Sequence, residues 1–240
     1  MQLLVSVSGP DEARTAVAGG ADIIDAKDPA SGPLGPVSLD VLRAIRTAVG
    51  ETRVVTAALG DARSAHDVER DAGAFVAAGA ALVKVGFAGI TDLARIQSLI
   101  AAAVRGAGGQ VIAVAYADGD DARSAGPAAV LDAAVRAGAA GLLVDTADKR
   151  GPGLLALMPP DAITRIVARA RGAGLLAALA GQLTADDLLC VRDSGAHIAG
   201  VRGAACDGGR AGRISAARVE RLLRHLGRAD LSEDRSCVVG

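Results

Sequence analysis

At 240 residues, 51% hydrophobic and 22% charged, the chain can bury one large core and fits a single (β/α)8 barrel or a small two-domain protein. Its formal net charge of −1, with no arginine cluster, argues against nucleic acid or an anionic membrane as the main partner, since both select basic surfaces. Met1 to Val7 runs straight into Ser8-Gly9-Pro10 without a signal-peptide pattern, and no apolar run approaches the roughly 20 residues of a spanning helix, so a cytoplasmic protein is expected.

Short aliphatic runs alternate along the chain with longer segments of helical periodicity, which is the pattern of a parallel sheet. Leu3 to Val7 reads as the first strand, and Asp11 to Gly19 as a helix stopped by Gly19-Gly20. Ala21 to Asp28 is a second strand that begins apolar and ends in charge. Pro29 to Pro36, with three prolines and two glycines, must be a loop. Ser38 caps a helix to Val49, Arg53 to Leu59 is the third strand, and His66 to Ala78 is the next helix. Ala81 to Phe87, Gln110 to Ala117 and Gly141 to Ala147 are strands four, five and six, separated by helices over Thr91 to Arg105 and Pro127 to Ala137. A loop containing Gly151, Pro152 and Gly153 leads to a helix over Asp161 to Arg171. Leu175 to Ala180 and Ile198 to Gly203 are the last two strands, with helices over Thr184 to Arg192 and Ser215 to Leu226.

Eight such pairs match the rhythm of a (β/α)8 TIM barrel, which typically takes about 250 residues. One barrel domain is expected over residues 1–228, followed by a polar tail at 229–240. A doubly wound open sheet is the competing architecture. It calls for a glycine fingerprint after the first strand, and Ser6-Val7-Ser8-Gly9-Pro10 is not one.

Of 26 basic residues only three are lysine: Lys27, Lys84 and Lys149. They fall at or just past the ends of strands two, four and six, all even-numbered, and strand ends are where a barrel keeps its active site. Arginine is always protonated, whereas a lysine amine can lose its proton in a pocket and attack a carbonyl to form a Schiff base. Asp25 shares a strand face with Lys27, and Asp145 shares one with Leu143 on strand six. Each carboxylate suits proton transfer at carbon or, equally, neutralisation of Lys27 or Lys149.

Gly181 and Gln182 after strand seven, and Gly203 and Ala204 after strand eight, are candidates for binding a substrate phosphate, because glycine lets an anion approach backbone N–H groups. The loop after Lys27 is a weaker candidate for a cradle or lid. His66, His197 and His225 stand apart and read as structural. Asp118, Asp120 and Asp121 read as a solvated turn in preference to a metal site. Cys190, Cys206 and Cys237 are odd in number and widely spaced, which points to reduced thiols and no zinc.

Several stretches together resemble a known family. They are Leu-Leu-Val-Ser near the start, Gly-Gly-Ala-Asp-Ile-Ile-Asp-Ala-Lys-Asp-Pro followed by Gly-x-Leu-Gly, Val-Lys-Val-Gly on strand four and Asp-Thr-Ala-x-Lys on strand six. The chain resembles (5-formylfuran-3-yl)methyl phosphate synthase nearly throughout, up to about Arg228. The loop has Asp-Pro where archaeal relatives often have Asn-Pro. The resemblance implies a barrel lyase, similar to class I aldolases, acting without a cofactor or metal. It would condense two glyceraldehyde 3-phosphates into a phosphorylated furan, an early step towards methanofuran or its bacterial counterpart in one-carbon metabolism. By position Lys27 would be the Schiff-base lysine and Lys84 the proton acceptor, with Asp25, Asp145 and Lys149 as further active-site groups. A class I aldolase or isomerase acting on another phosphorylated sugar shares every feature read from the residues, as does a non-catalytic phosphometabolite-binding barrel. Apolar barrel helices often pair, so a homo-oligomer is expected.

Overall fold

Aliphatic runs bounded by glycine build the strands, and capped amphipathic segments build the helices between them. In the computed structural model, which describes residues 1–227, the strands are β1 (Gln2–Val7), β2 (Ile23–Ala26), β3 (Val54–Asp61) and β4 (Leu82–Gly86). They continue as β5 (Val111–Tyr116), β6 (Gly141–Asp145), β7 (Leu176–Leu179) and β8 (Ile198–Val201). All pair in parallel with their sequence neighbours, and β8 returns to β1, closing a TIM barrel. The polar tail expected at 229–240, and Cys237 within it, lie outside the described residues.

The helices are α1 (Pro10–Ala18), α2 (Leu39–Val49), α3 (Ala65–Ala77), α4 (Leu93–Gly106) and α5 (Pro127–Ala137), then α6 (Leu154–Leu157), α7 (Pro160–Gly172), α8 (Asp187–Asp193) and α9 (Ala216–His225). Ser38 caps α2 by accepting from the Val41 N–H at 3.2 Å, and Asp92 caps α4 by accepting from that of Ala94 at 2.9 Å. Pro127 and Pro160 open α5 and α7, where a missing N–H costs no helical hydrogen bond. Gly138 ends α5 at φ 73°, a left-handed conformation that glycine adopts without strain.

Alternation along each strand divides the interior in two. Leu4, Ile23, Ala58, Ile112, Val114, Leu143, Ala178 and Ile198 fill the barrel, while Leu3, Val5, Ile24, Ala26, Leu142 and Val144 face the helices. Leu34 joins the inner cluster although it belongs to the proline-rich loop, and is 1% exposed beside Tyr116.

The structure adds elements to those expected from sequence. A single turn, α6, precedes α7, and a small antiparallel hairpin of β9 (Cys206–Asp207) and β10 (Arg213–Ile214) follows β8. The helix expected from Thr184 begins only at Asp187. Thr184 N–H donates to Asp187 Oδ2 at 2.8 Å and Asp187 N–H donates back to Thr184 Oγ1 at 3.3 Å, so Thr184 precedes the helix.

Candidate active site

All nine residues singled out from the sequence line one cavity of about 450 Å³ at the C-terminal mouth of the barrel: Asp25, Lys27, Lys84, Asp145, Lys149, Gly181, Gln182, Gly203 and Ala204. Strand alternation explains the delivery of the charged groups. Ile23 and Asp25 point inward from β2, as do Leu143 and Asp145 from β6, so each strand places apolar bulk below and a carboxylate above. Lys27 stands one step past β2, yet its N–H still donates to Val7 O at 2.9 Å, which continues the ladder and fixes the start of its side chain.

Asp25 forms no ion pair with Lys27 or Lys149, the partners expected for the two carboxylates. It forms an ion pair with Lys84, which reaches across from β4. In register, Asp25 lies between Ser6 of β1 and Thr56 of β3. The Ser6 hydroxyl donates to Oδ2 at 2.9 Å and the Thr56 hydroxyl to Oδ1 at 2.8 Å, so this fully buried carboxylate meets three donors from three different strands.

Asp145 has a different set of partners. Its Oδ1 accepts from Lys149 Nζ at 2.6 Å and from the Thr146 N–H at 2.8 Å, while Lys27 Nζ lies 4.0 Å from Oδ2. Burial works to raise the Asp145 carboxyl, but Lys149 and Lys27 hold it below the usual carboxylate range. Lys27 is the lysine without a close carboxylate. Burial, opposed by Asp145 and reinforced by Lys84 and Lys149, brings its ammonium down from 10.5 to about 7. A buried amine poised near neutrality can act as a nucleophile, whereas Lys84 and Lys149 are each engaged in a direct ion pair.

The glycine-rich end of the cavity lies between β7 and β8. Gly181 has φ 106°, and a Cβ there would meet Thr146 Cγ2 at 3.0 Å and Leu154 Cβ at 3.1 Å. Gln182 is also left-handed, at φ 56°. Its side-chain amide donates to Gly151 O at 3.0 Å and Pro152 O at 3.2 Å, so any contact with an anion would run through its backbone. Gly203 to Ala205 form one 3-10 turn directly after β8. The proline-rich loop contributes nothing to the cavity wall and folds on itself through an Asp28 N–H to Gly35 O bond of 2.9 Å.

Sequence reasoning missed several residues. Ser6 and Thr56 were visible as inward polar positions in otherwise apolar strands. Asp118 lies in the expected turn, whose Asp120 and Asp121 are exposed, but is itself buried, and accepts from the Ala147 N–H at 2.7 Å and the Asp148 N–H at 2.8 Å, holding the start of the segment that carries Lys149. Among the described residues, no group of histidine, cysteine and acidic side chains could hold a metal. His197 is structural, its Nδ1 accepting from the Ala177 N–H at 3.0 Å. Arginines 202, 210, 218 and 221 bring the basic side chains lining the cavity to seven, against two carboxylates, a balance suited to an anionic ligand. No helix of the described residues is long and apolar enough to cross a membrane.

Known proteins are similar to the chain over most of its length. The family model described as 4-HFC-P synthase matches residues 3–223. The (5-formylfuran-3-yl)methyl phosphate synthase of Methanopyrus kandleri is 39% identical over 214 residues, covering 87% of this chain and 90% of that protein. The synthase of the same name from Methanothermobacter thermautotrophicus is 34% identical, covering 94% of this chain and 99% of its own. Among solved structures, 3-hexulose-6-phosphate synthase from Salmonella typhimurium superposes with a TM-score of 0.63 at 24% identity, covering 94% of this chain and all of that one, and so shares the fold.

Proposed function

The chain belongs to the (5-formylfuran-3-yl)methyl phosphate synthase family, and on that premise we propose that it condenses two molecules of glyceraldehyde 3-phosphate through a Schiff base on Lys27. The products are (5-formylfuran-3-yl)methyl phosphate, one inorganic phosphate and two waters, for methanofuran-type cofactor biosynthesis. Because phosphate leaves by elimination, the enzyme is a carbon–oxygen lyase. The single observation that carries this reading is the buried Lys27 amine, brought to about 7 inside a cavity whose other two lysines are directly ion-paired.

The mechanism assigns each group a step. The neutral Lys27 amine attacks the carbonyl of one triose phosphate, and the Lys149–Asp145 pair protonates the hydroxyl that departs as water. The resulting iminium draws electrons from the adjacent C–H bond, and the Lys84–Asp25 pair takes the proton. With the second molecule bound and its aldehyde isomerised to the ketone, the enamine expels phosphate from its neighbouring carbon, and that carbon, now the end of an enol, attacks the ketone and forms the carbon–carbon bond. Ring closure through the second molecule's terminal hydroxyl and loss of two waters complete the furan, and hydrolysis of the imine takes back the water that its formation released and restores Lys27. The protonated imine is the electron sink, so these steps call for no cofactor. The backbone around Gly181, Gln182, Gly203 and Ala204 holds a substrate phosphate.

Incubation with glyceraldehyde 3-phosphate is expected to yield an ultraviolet-absorbing furan aldehyde and one phosphate per furan. Phosphate release without a furan, or no turnover at all, would overturn the assignment. The enzyme is taken to work in the cytoplasm as a homo-oligomer. Light scattering that returned the monomer mass would remove the oligomer from this reading.

A further inference from the structure

Condensing two phosphorylated molecules requires one cavity to hold two phosphates at once, and the glycine-rich turns after β7 and β8 form one cradle. We propose that Arg210, carried over the barrel mouth by the β9–β10 hairpin, is the second phosphate-binding group and receives the acceptor triose phosphate. This inference rests on the synthase reading above.

Four arginines line the cavity, but they are not equivalent. Arg202 is buried and committed: Nη1 lies 2.9 Å from Glu12 Oε2 and donates to Ser6 O at 3.0 Å. Arg218 is ion-paired with Asp207. Arg221 is exposed on α9. Arg210 is half-buried and has no carboxylate within ion-pair distance among the described residues. Its one side-chain hydrogen bond there is a long one, from Nη2 to Gly32 O at 3.4 Å. Four of its five N–H donors therefore remain available in a planar fork that suits phosphate oxygens.

Its guanidinium is carried away from the glycine cradle. The Arg210 main chain lies beside Gly203, where a Cβ on that glycine would come within 3.5 Å of Arg210 N, but its side chain leads away and ends at Gly32 in the loop that follows Lys27. The guanidinium thus stands on the β2 side of the mouth, while the glycines lie between β7 and β8. Burial works against its charge and Asp145 works for it, which puts Arg210 within electrostatic reach of the lysine cluster. The arm is also held in advance. Arg202 Nε donates to Arg210 O at 3.1 Å and Arg202 Nη2 to Gly212 O at 3.4 Å, so the buried arginine below fixes both sides of the loop that presents the one above.

Steady-state furan formation and calorimetric titration with inorganic phosphate test the assignment on Arg210→Gln, Arg210→Lys and Arg221→Gln. Arg210→Gln is expected to raise the KM for glyceraldehyde 3-phosphate at least tenfold, to weaken phosphate binding by a similar factor, and to leave borohydride trapping of the first molecule at Lys27 at the wild-type level. Arg210→Lys should recover part of the loss, and Arg221→Gln should stay within about twofold of wild type. An unchanged KM and phosphate titration in Arg210→Gln would overturn the proposal, as would an equal loss in Arg221→Gln, which would assign the effect to the general field of the cavity. The phosphate titration reads Arg210 without turnover, so a wild-type protein that makes no furan would refute the synthase reading and still leave Arg210 decided by its own result.

Discussion

Lys27 Nζ lies 4.0 Å from Asp145 Oδ2, beyond hydrogen-bond reach, while the other oxygen of the same carboxylate holds Lys149 at 2.6 Å. One carboxylate therefore serves two lysines unequally. Lys149 keeps a direct counterion, and Lys27 keeps a lone pair within reach of its proton equilibrium.

That inequality sets a pH dependence. Only the neutral amine attacks a carbonyl, and burial brings Lys27 to about 7, so the rate of imine formation should rise through pH 7 and level off above it. A rate that climbed only towards the ordinary lysine value of 10.5 would contradict the assigned environment. The same shift affects stability. The unfolded chain binds the proton more tightly between about 7 and 10.5, so the destabilisation is fully present below pH 7 and is relieved as pH rises across that window. Lys27→Met, which leaves Asp145 its Lys149 partner, should abolish activity and raise the Tm. The gain should be largest below pH 7 and should shrink above it, as differential scanning calorimetry at several pH values would show.

Asp25→Asn leaves the buried Lys84 without its carboxylate and sets an amide donor among three existing donors. Breaking such a pair costs about 3–5 kcal/mol. At roughly 2–4 °C per kcal/mol for a domain of this size, thermal denaturation should show a large drop in Tm. Ser6→Ala, which removes one hydroxyl, should cost about 1–2 kcal/mol. Equal stability of Asp25→Asn and wild type would show that the pair does not hold the barrel as described.

Asp118→Asn should lower kcat by about 10-fold or more with a smaller change in KM, because Asp118 fixes the Ala147 and Asp148 amides and through them the placement of Lys149. As a positioning residue it should leave the midpoint of the pH profile near 7, where Lys27 sets it. A normal kcat, or a shifted midpoint, would show that Asp118 does not act through Lys149.

Gly86→Ala should destabilise the mouth of the barrel. A Cβ there would strike Asp61 Oδ1, and would stand 2.5 Å from Tyr116 Oη and 2.7 Å from Leu34 Cδ1. Asp61 cannot withdraw freely, since it accepts from Tyr116 at 2.8 Å and from the Ala88 N–H at 2.9 Å. Overpacking of this kind costs about 1–3 kcal/mol, read as a lower denaturation midpoint. A midpoint equal to wild type would show that this junction yields more easily than its contacts indicate.

The barrel was legible because each strand repeats a local signal, an aliphatic run after a glycine stop, and the rarity of lysine marked Lys27, Lys84 and Lys149. Partners across the barrel were not legible. Strand alternation tells which face Asp25 occupies, but not that Lys84 would reach it from β4 before Lys27 did. Asp118 was hidden by its neighbours, since Asp-Gly-Asp-Asp reads as a turn whichever carboxylate turns inward. Two-residue strands carry no periodicity, so the β9–β10 hairpin left no trace, and in a chain whose basic residues are nearly all arginine, nothing in sequence set Arg210 apart.

Borohydride reduction in the presence of glyceraldehyde 3-phosphate, followed by peptide mass mapping, tests the chemistry of Lys27 most directly. The expected result is a stable triose-phosphate adduct on the peptide carrying Lys27, accompanied by loss of furan formation, with Lys84 and Lys149 unmodified. An active preparation whose Lys27 peptide stays unmodified, or an adduct on Lys84 or Lys149 instead, would contradict the Schiff base at Lys27.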